Sequence, residues 1–242
     1  MRLTDFKVLT FDCYGTLIDW ESGIYNALGP LLALCESPPG REQALVAFAE
    51  RESAQQAATP DLPYPALLAL VHAQLAKDWD LPATADLHRR FGASVPDWPA
   101  FPDSADALRT LKRHFKLVIL SNVDNLSFAG SNRRLGVTFD AIYTAQDIGS
   151  YKPNPRNFSY LIEHSRDDLG VGRGEVLHTA QSLFHDHEPA QQAGLARAWI
   201  DRRRDAEGWG ATMPPGERPT VDFHFGSMAE FVEAHRTALA AA

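Results

Sequence analysis

The chain has 242 residues, of which 45% are hydrophobic and 22% are charged, as is usual for a globular protein. Its formal net charge of −8 gives no electrostatic reason to bind nucleic acid, so we expect no nucleic-acid partner. No stretch approaches the roughly 18 apolar residues of a membrane helix, and the first residues lack a signal-peptide pattern. We therefore expect a cytoplasmic protein without a membrane partner.

The first predicted strand is a short apolar run at residues 8–11, which ends at Asp12. Residues 19–99 have a different composition, rich in Ala, Leu, Gln and Glu, with apolar residues at helical spacing and breaks at prolines. This pattern predicts three to five helices and no strand. We expect residues 19–99 to form a small all-helical cap domain inserted after the first strand.

Strands and helices alternate after residue 100. Further strands are predicted at residues 117–120, 141–144, 176–179, 198–200 and 221–225. Helices are predicted at residues 103–114, 127–135, 157–164, 189–193 and 228–240. The alternation predicts an α/β fold with a doubly wound parallel sheet, a Rossmann-like core formed by residues 1–18 and 100–242.

Polar side chains stand at the carboxyl ends of four predicted strands, where ligands bind in open α/β sheets. In chain order they are Asp12 and Thr16, Ser121 and Asn122, Lys152, and Asp186. A carboxylate can act as a nucleophile and form an ester, and a nearby lysine keeps it ionised. Hydroxyl and backbone N–H groups can stabilise developing charge, and a second carboxylate can activate water.

Each of these residues also has a purely structural interpretation. An aspartate at a strand end more often caps a turn or helix, and Asp186 lies near a predicted helix N-terminus, which favours an acid. Lys152 could be a solvated surface lysine, and Trp20 could belong to the core of the cap. Three histidines, at positions 178, 185 and 187, cluster in the sequence, but their spacing matches no common zinc pattern, so we predict no metal site.

The order and spacing of the motifs resemble those of the haloacid dehalogenase superfamily along essentially the whole chain. Asp12-Cys13-Tyr14-Gly15-Thr16-Leu17 is similar to its first motif, Ser121-Asn122 to its second, Lys152-Pro153 to its third, and residues 186–194 to its fourth. The resemblance implies that Asp12 is the nucleophile and that Lys152 is its cation. It also implies that Thr16 and Ser121 are the orienting hydroxyls.

Two positions separate the branches of this superfamily. Its phosphatases carry a second Asp where this chain has Tyr14, and an acidic pair where it has Gln181-Ser182. Asp12 and Asp186 alone are poorly suited to hold Mg²⁺. The chain therefore resembles most the L-2-haloacid dehalogenase (type II) branch, which implies hydrolysis of a carbon–halide bond without a required cofactor. It also implies a small anionic substrate and a homodimer.

The mechanism implied by the resemblance has two steps. Asp12 displaces halide at C2 with inversion, and water, oriented or activated by Asp186, then cleaves the ester to release a 2-hydroxy acid. Backbone N–H groups of the first motif, around Cys13 and Tyr14, are expected to hold the substrate carboxylate together with Ser121. Asn122 is expected to contact the leaving halide, and Trp20 to wall the substrate pocket.

The sequence also departs from that branch. Its halide-binding arginine in the cap aligns with Ala49, one to two residues from Arg51, and a tyrosine after the lysine is replaced by Phe158. The serine and asparagine of its fourth motif align with Gln181 and Leu183.

Because of these departures, two alternatives stay open. One is a Mg²⁺-dependent phosphatase of small phosphate esters, and the other is a non-catalytic binding protein on the same fold. The departures also leave room for His185 and His187 as unusual site residues.

Overall fold

The computed structural model describes residues 1–241 and contains one six-stranded sheet in the order β3-β2-β1-β4-β5-β6. Every pair of neighbouring strands is parallel. The strands are β1 (Val8–Phe11), β2 (Lys116–Ser121), β3 (Ala141–Thr144), β4 (Val176–Ala180), β5 (Ala196–Ile200) and β6 (Phe223–Phe225). The predicted doubly wound parallel sheet is therefore confirmed.

Ten α-helices lie within the described residues 1–241. Those of the predicted cap, called the cap helices below, are α1 (Trp20–Leu32), α2 (Arg41–Ala58), α3 (Tyr64–Asp78) and α4 (Ala85–Gly92). The others are α5 (Ser104–Leu111), α6 (Asn125–Leu135), α7 (Ala145–Ile148), α8 (Pro155–Leu169), α9 (Glu188–Gln192) and α10 (Met228–Ala240). No helix in this part of the chain is both long enough and apolar enough to cross a membrane.

Strand β1 lies at the centre of the sheet and is buried along its whole length. Its last residue, Phe11, is in register with Ile119 of β2 and with Thr179 of β4. The carboxyl ends of these three strands therefore meet at one edge. The chain order reverses beside β1, which is where an open α/β sheet forms its binding crevice.

Helix α2 shows why the cap helices fold as they do. Leu45, Phe48 and Ala49 recur at helical spacing and are buried, and Phe48 packs edge-on against Trp20 with ring centroids 6.4 Å apart. The cap helices pack chiefly against one another. The prediction of three to five helices is confirmed by these four, whereas the division of the chain at residues 19–99 stays a prediction.

Both predicted boundaries of helix α8 were wrong for local reasons. Helix α8 begins at Pro155 rather than at residue 157, because the Asn154 side chain accepts a hydrogen bond from the N–H of Arg156 and proline is favourable in a first turn. It continues until Gly170, whose φ of 69° ends it. The short helix α7, capped by the Thr144 side chain, was not predicted.

The junction between α1 and the segment that returns to the sheet depends on a close contact at Gly23. A Cβ atom at Gly23 would lie 2.3 Å from Cγ of the buried Trp98. We expect Gly23→Ala to lower the free energy of unfolding by about 1–3 kcal/mol, the usual cost of overpacking a core. Gly29→Ala in the same helix is the matched control, since nothing lies within 4 Å of its added Cβ. Urea unfolding of both variants tests the contact, and equal stability of the two would contradict it.

Candidate active site

The polar residues predicted to form the site come together at the carboxyl edge of the sheet. Asp12 follows β1, Ser121 ends β2, and Lys152 lies between α7 and α8. Asp186 lies in a single π-helical turn, Leu183–His187, which follows β4. All four are at least nine-tenths buried, so each needs partners within the protein.

Lys152 binds both carboxylates. Its Nζ atom lies 2.9 Å from Oδ1 of Asp12 and 2.6 Å from Oδ1 of Asp186, and it donates to the carbonyl oxygen of Leu120 at 2.9 Å. These contacts use all three ammonium protons. Burial alone would lower the pKa of Lys152, but the two carboxylates outweigh it and the pKa is raised. Lys152 is therefore a buried cation and not a solvated surface lysine.

Asp12 is oriented through both of its oxygen atoms. Oδ1 accepts from Lys152, and Oδ2 accepts from the Thr16 hydroxyl at 2.9 Å. The Thr16 oxygen in turn accepts from the backbone N–H of Gln181 at 2.9 Å. Burial raises the pKa of Asp12 to about 6, although Lys152 opposes the shift. Above that pH the residue is a fixed carboxylate, as a nucleophile requires.

Asp186 has a second partner, which sequence reasoning missed. Its Oδ1 also lies 2.9 Å from Nε2 of His178, whose Nδ1 lies 2.8 Å from the Thr10 hydroxyl. An imidazole protonated on Nε2 satisfies both bonds, and burial lowers the pKa of His178, which favours this neutral form. Although burial opposes ionisation of Asp186, Lys152 and His178 together hold its pKa below the usual range. Its Oδ2 is buried without a hydrogen-bond partner among the described residues.

Asn122 holds the backbone of the lysine. Its Oδ1 accepts from the N–H of Lys152 at 2.7 Å, and its Nδ2 donates to the carbonyl oxygen of Lys152 at 2.9 Å. The same Nδ2 lies 3.5 Å from Oε1 of Gln56. Both amide protons thus have protein acceptors, and contact between Asn122 and a leaving halide stays a prediction.

The remaining predicted residues differ in their position. Tyr14 and Trp20 line the same cavity as Asp12, and the Tyr14 hydroxyl lies 2.9 Å from Oγ of Ser131. Ser121 also lines it, with an Oγ that has no hydrogen-bond partner in the described chain. The Cys13 side chain is fully buried and is not among the lining residues. Its predicted role in binding thus concerns its backbone and stays a prediction.

The cavity lies between the sheet edge and the cap helices. Its volume is about 30 Å³, which makes it a small cavity. Asp12, Lys152 and Asp186 line it from the core. Its lining residues that were not predicted for the site are Glu52 and Gln56 from α2, Tyr64 from α3, and Ser182. His185, which the sequence left open as an unusual site residue, also lines the cavity.

Glu52 is a buried acid that forms no salt bridge within the described residues 1–241. It is 2% exposed, and its Oε1 accepts a hydrogen bond from the Tyr64 hydroxyl at 2.5 Å. Burial raises the pKa of Glu52 to about 7, although the bond from Tyr64 lowers it. A sequence signal existed, since Glu52 continues the apolar stripe of Leu45 and Phe48 at helical spacing.

Arg51, the neighbour of Glu52, does not reach the cavity. Its side chain is 46% exposed and pairs with Asp78 of α3 at 2.6 Å. Arg51 is therefore not a substitute for the expected cap arginine in this structure. Phe158, the other departure, is fully buried and packs edge-on against His178 with ring centroids 5.3 Å apart.

The three clustered histidines have separate partners. His187 donates from Nε2 to the carbonyl oxygen of Ala180 at 2.9 Å, while His178 bonds Asp186. Nδ1 of His185 lies 3.2 Å from Oγ of Ser182, and its Nε2 has no hydrogen-bond partner within residues 1–241. The described residues contain no group of three or more His, Cys, Asp or Glu side chains arranged to hold a metal ion.

The chain is similar to known proteins in sequence and in fold. A family model for haloacid dehalogenase-like hydrolases matches residues 6–194. The (S)-2-haloacid dehalogenase 4A of Burkholderia cepacia is 30% identical over 214 residues, which cover 81% of this chain and 84% of that protein.

Solved structures show the same fold. The L-2-haloacid dehalogenase from Xanthobacter autotrophicus aligns with a TM-score of 0.77 at 19% identity, covering 96% of this chain and 98% of that one. The L-2-haloacid dehalogenase PA0810 aligns with a TM-score of 0.76 at 20% identity, covering 94% of this chain and 98% of that one.

The burial of Glu52 predicts a pH-dependent loss of stability. Unfolded Glu52 loses its proton near pH 4.5, whereas folded Glu52 keeps it up to about pH 7. Folding therefore favours the protonated form, and this stabilisation is lost as pH rises between these values. Relative to Glu52→Gln, we expect the wild type to lose about 3 kcal/mol of unfolding free energy over that range.

Urea unfolding at about pH 5 and about pH 8 measures the effect. Glu50→Gln, at an exposed position of the same helix, is the matched control and is expected to follow the wild type. Parallel pH curves for the wild type and Glu52→Gln would show that the Glu52 carboxyl is not desolvated as described.

Proposed function

The chain belongs to the haloacid dehalogenase-like hydrolases, and from this membership and the site geometry we propose that it hydrolyses small 2-halo carboxylates through an ester on Asp12. Its family match and its relative identify it as a hydrolase of the type that acts on carbon–halide bonds. The observation that carries the finer proposal is the Lys152 ammonium, which lies between the carboxylates of Asp12 and Asp186.

The first step is displacement at C2 of the substrate. An oxygen of Asp12 attacks the carbon, the carbon–halogen bond breaks with its electron pair on the halide, and the configuration at C2 inverts. Thr16 and Lys152 hold the attacking carboxylate in one orientation, which removes part of the entropic barrier. The unpartnered hydroxyl of Ser121 supports binding of the substrate carboxylate, together with the backbone around Cys13 and Tyr14.

The second step is cleavage of the ester by water. Water adds to the carboxyl carbon of Asp12 and the bond to the substrate oxygen breaks. One proton of the water goes to the departing 2-hydroxy acid, and the other is released to solvent as the Asp12 carboxylate is restored. Asp186 is the proposed group that orients this water. Support comes from its position on the same cavity and from its Oδ2, which has no protein partner in the described chain.

The small cavity supports a short substrate. Trp20 and Tyr14 wall the cavity with their rings. Its small volume of about 30 Å³ favours a two- or three-carbon acid over a sugar or nucleoside. Closure of the site by the cap helices would keep bulk water away from the nucleophile.

The site residues do not fit the magnesium-dependent alternative. A cation between Asp12 and Asp186 would need the space that the Lys152 ammonium fills, at 2.9 and 2.6 Å from their oxygens. The position of the second acid in the phosphatases is held by Tyr14, whose hydroxyl contacts Ser131. We therefore derive no step through a metal ion. No observation favours a non-catalytic binding protein. The predicted cytoplasmic location and the predicted homodimer stay predictions.

The proposal is tested by halide release from L-2-chloropropionate in excess EDTA. We expect release by the wild type and a loss of at least about a thousandfold in Asp12→Asn, because an amide cannot form the ester. Circular dichroism of the variant provides the control for folding. The proposal is overturned if Asp12→Asn retains activity, or if EDTA stops release and Mg²⁺ restores it.

The role of Asp186 is tested separately with Asp186→Asn. If this residue orients water, the variant should release about one equivalent of halide and then stop, since ester formation does not need the water. Mass spectrometry of the protein should then show the substrate acid attached at Asp12. A variant that turns over without accumulating ester would remove Asp186 from the second step.

A further inference from the structure

Glu52 is in an unusual position for an acid. It is one of three carboxylic acids that line the cavity, and the other two already share the Lys152 ammonium. No salt bridge involves Glu52 within residues 1–241, and its described hydrogen bond is the one that Oε1 accepts from Tyr64. An ionised carboxylate in such a place is costly, whereas a protonated one is not.

The bond from Tyr64 leaves a defined donor. With Oε1 accepting from the Tyr64 hydroxyl, a proton on Oε2 has no protein acceptor among the described residues. Oε2 is not fully enclosed by the protein, so a bound molecule can approach it. The carboxylic acid can therefore direct its O–H toward a bound molecule.

The two walls of the cavity give this donor a direction. Asp12 belongs to the edge of the sheet and Glu52 to α2 of the cap. In an in-line displacement the leaving group departs on the side opposite the attacking oxygen. The leaving halide therefore moves away from Asp12 and toward the cap wall, where Glu52 and Gln56 lie.

We propose that protonated Glu52 donates a hydrogen bond to the leaving halide, and that the substrates it favours are 2-fluoro carboxylates. This inference rests on the proposed function. Fluoride is the halide that accepts hydrogen bonds most strongly and leaves carbon least readily, so it gains most from a donor placed where its charge develops. The electron pair of the carbon–fluorine bond leaves with fluoride, and Glu52 keeps its proton.

Other ionisable groups line the cavity together with Glu52. From the core these are Asp12, Asp186 and Lys152, with His185 neutral because burial lowers its pKa to about 4. Tyr64 faces it from α3, and the ring of Tyr151 lies 6.3 Å from that of Tyr64. The carboxylates exceed the ammonium by one charge before an anionic substrate arrives. Burial is what raises the pKa of Glu52 to about 7, and it therefore favours the protonated acid.

Fluoride binding tests the donor without requiring turnover. Titration calorimetry with sodium fluoride in EDTA should show that the wild type binds about tenfold or more tightly at about pH 6.5 than at about pH 8.5. Glu52→Gln should lose this pH dependence, because an amide donates at every pH, whereas Glu50→Gln should keep it. Equal pH dependence in the wild type and Glu52→Gln, or no fluoride binding by the wild type at either pH, overturns the inference.

Turnover then tests the substrate class. For Glu52→Ala we expect kcat/KM to fall about tenfold to a hundredfold more for fluoroacetate than for chloroacetate, and Glu52→Gln should lose less than Glu52→Ala. An equal loss for both substrates overturns the inference. Wild-type activity that rises with pH through about pH 7 and vanishes in Glu52→Gln also overturns it, because it would assign the role to an ionised Glu52. If the wild type releases no halide at all, the proposed function fails, and fluoride binding still decides the role of Glu52.

Discussion

The site depends on one buried ammonium. Lys152 is 1% exposed, and a charge so far from water is tolerated only when its protons and its charge are matched. Asp12, Asp186 and the Leu120 carbonyl supply that match. Removal of Lys152 would leave two buried carboxylates without their cation, so the nucleophile, its cation and the second acid stabilise one another as well as acting together as one unit.

The sheet topology makes this unit possible. The ammonium contacts side chains that follow β1 and β4 and the carbonyl oxygen of Leu120 near the end of β2. The parallel sheet, with β1 between β2 and β4, brings these three carboxyl ends together. The links outside the unit hold its parts in place. Asn122 exchanges two hydrogen bonds with the backbone of Lys152, and His178 holds Asp186 from the interior of β4.

The sequence predicted the core half of this site because its residues follow strand ends. Asp12, Ser121, Lys152 and Asp186 could be placed on one edge as soon as the strands alternated with helices. The cap half could not be placed that way, since the side of α2 that covers the sheet depends on tertiary packing. His178 was likewise assigned to a strand, but its contact with Asp186 depends on the π-helical turn, for which the sequence has no simple pattern.

By the proposal above, Glu52 lets the cap helices influence which substrates the site at the sheet edge favours. The core supplies a nucleophile whose carboxylate is stabilised by an ammonium, while the cap supplies an acid whose hydrogen bond within the described residues comes from a tyrosine hydroxyl. These surroundings act on the two carboxyl groups in different ways, although both are buried. Burial raises the pKa of both groups, but Lys152 opposes the rise at Asp12, whereas Glu52 forms no salt bridge within residues 1–241 that would oppose it. One cavity can thus hold an ionised nucleophile beside a protonated donor, because a single lysine is within reach of the first and not of the second.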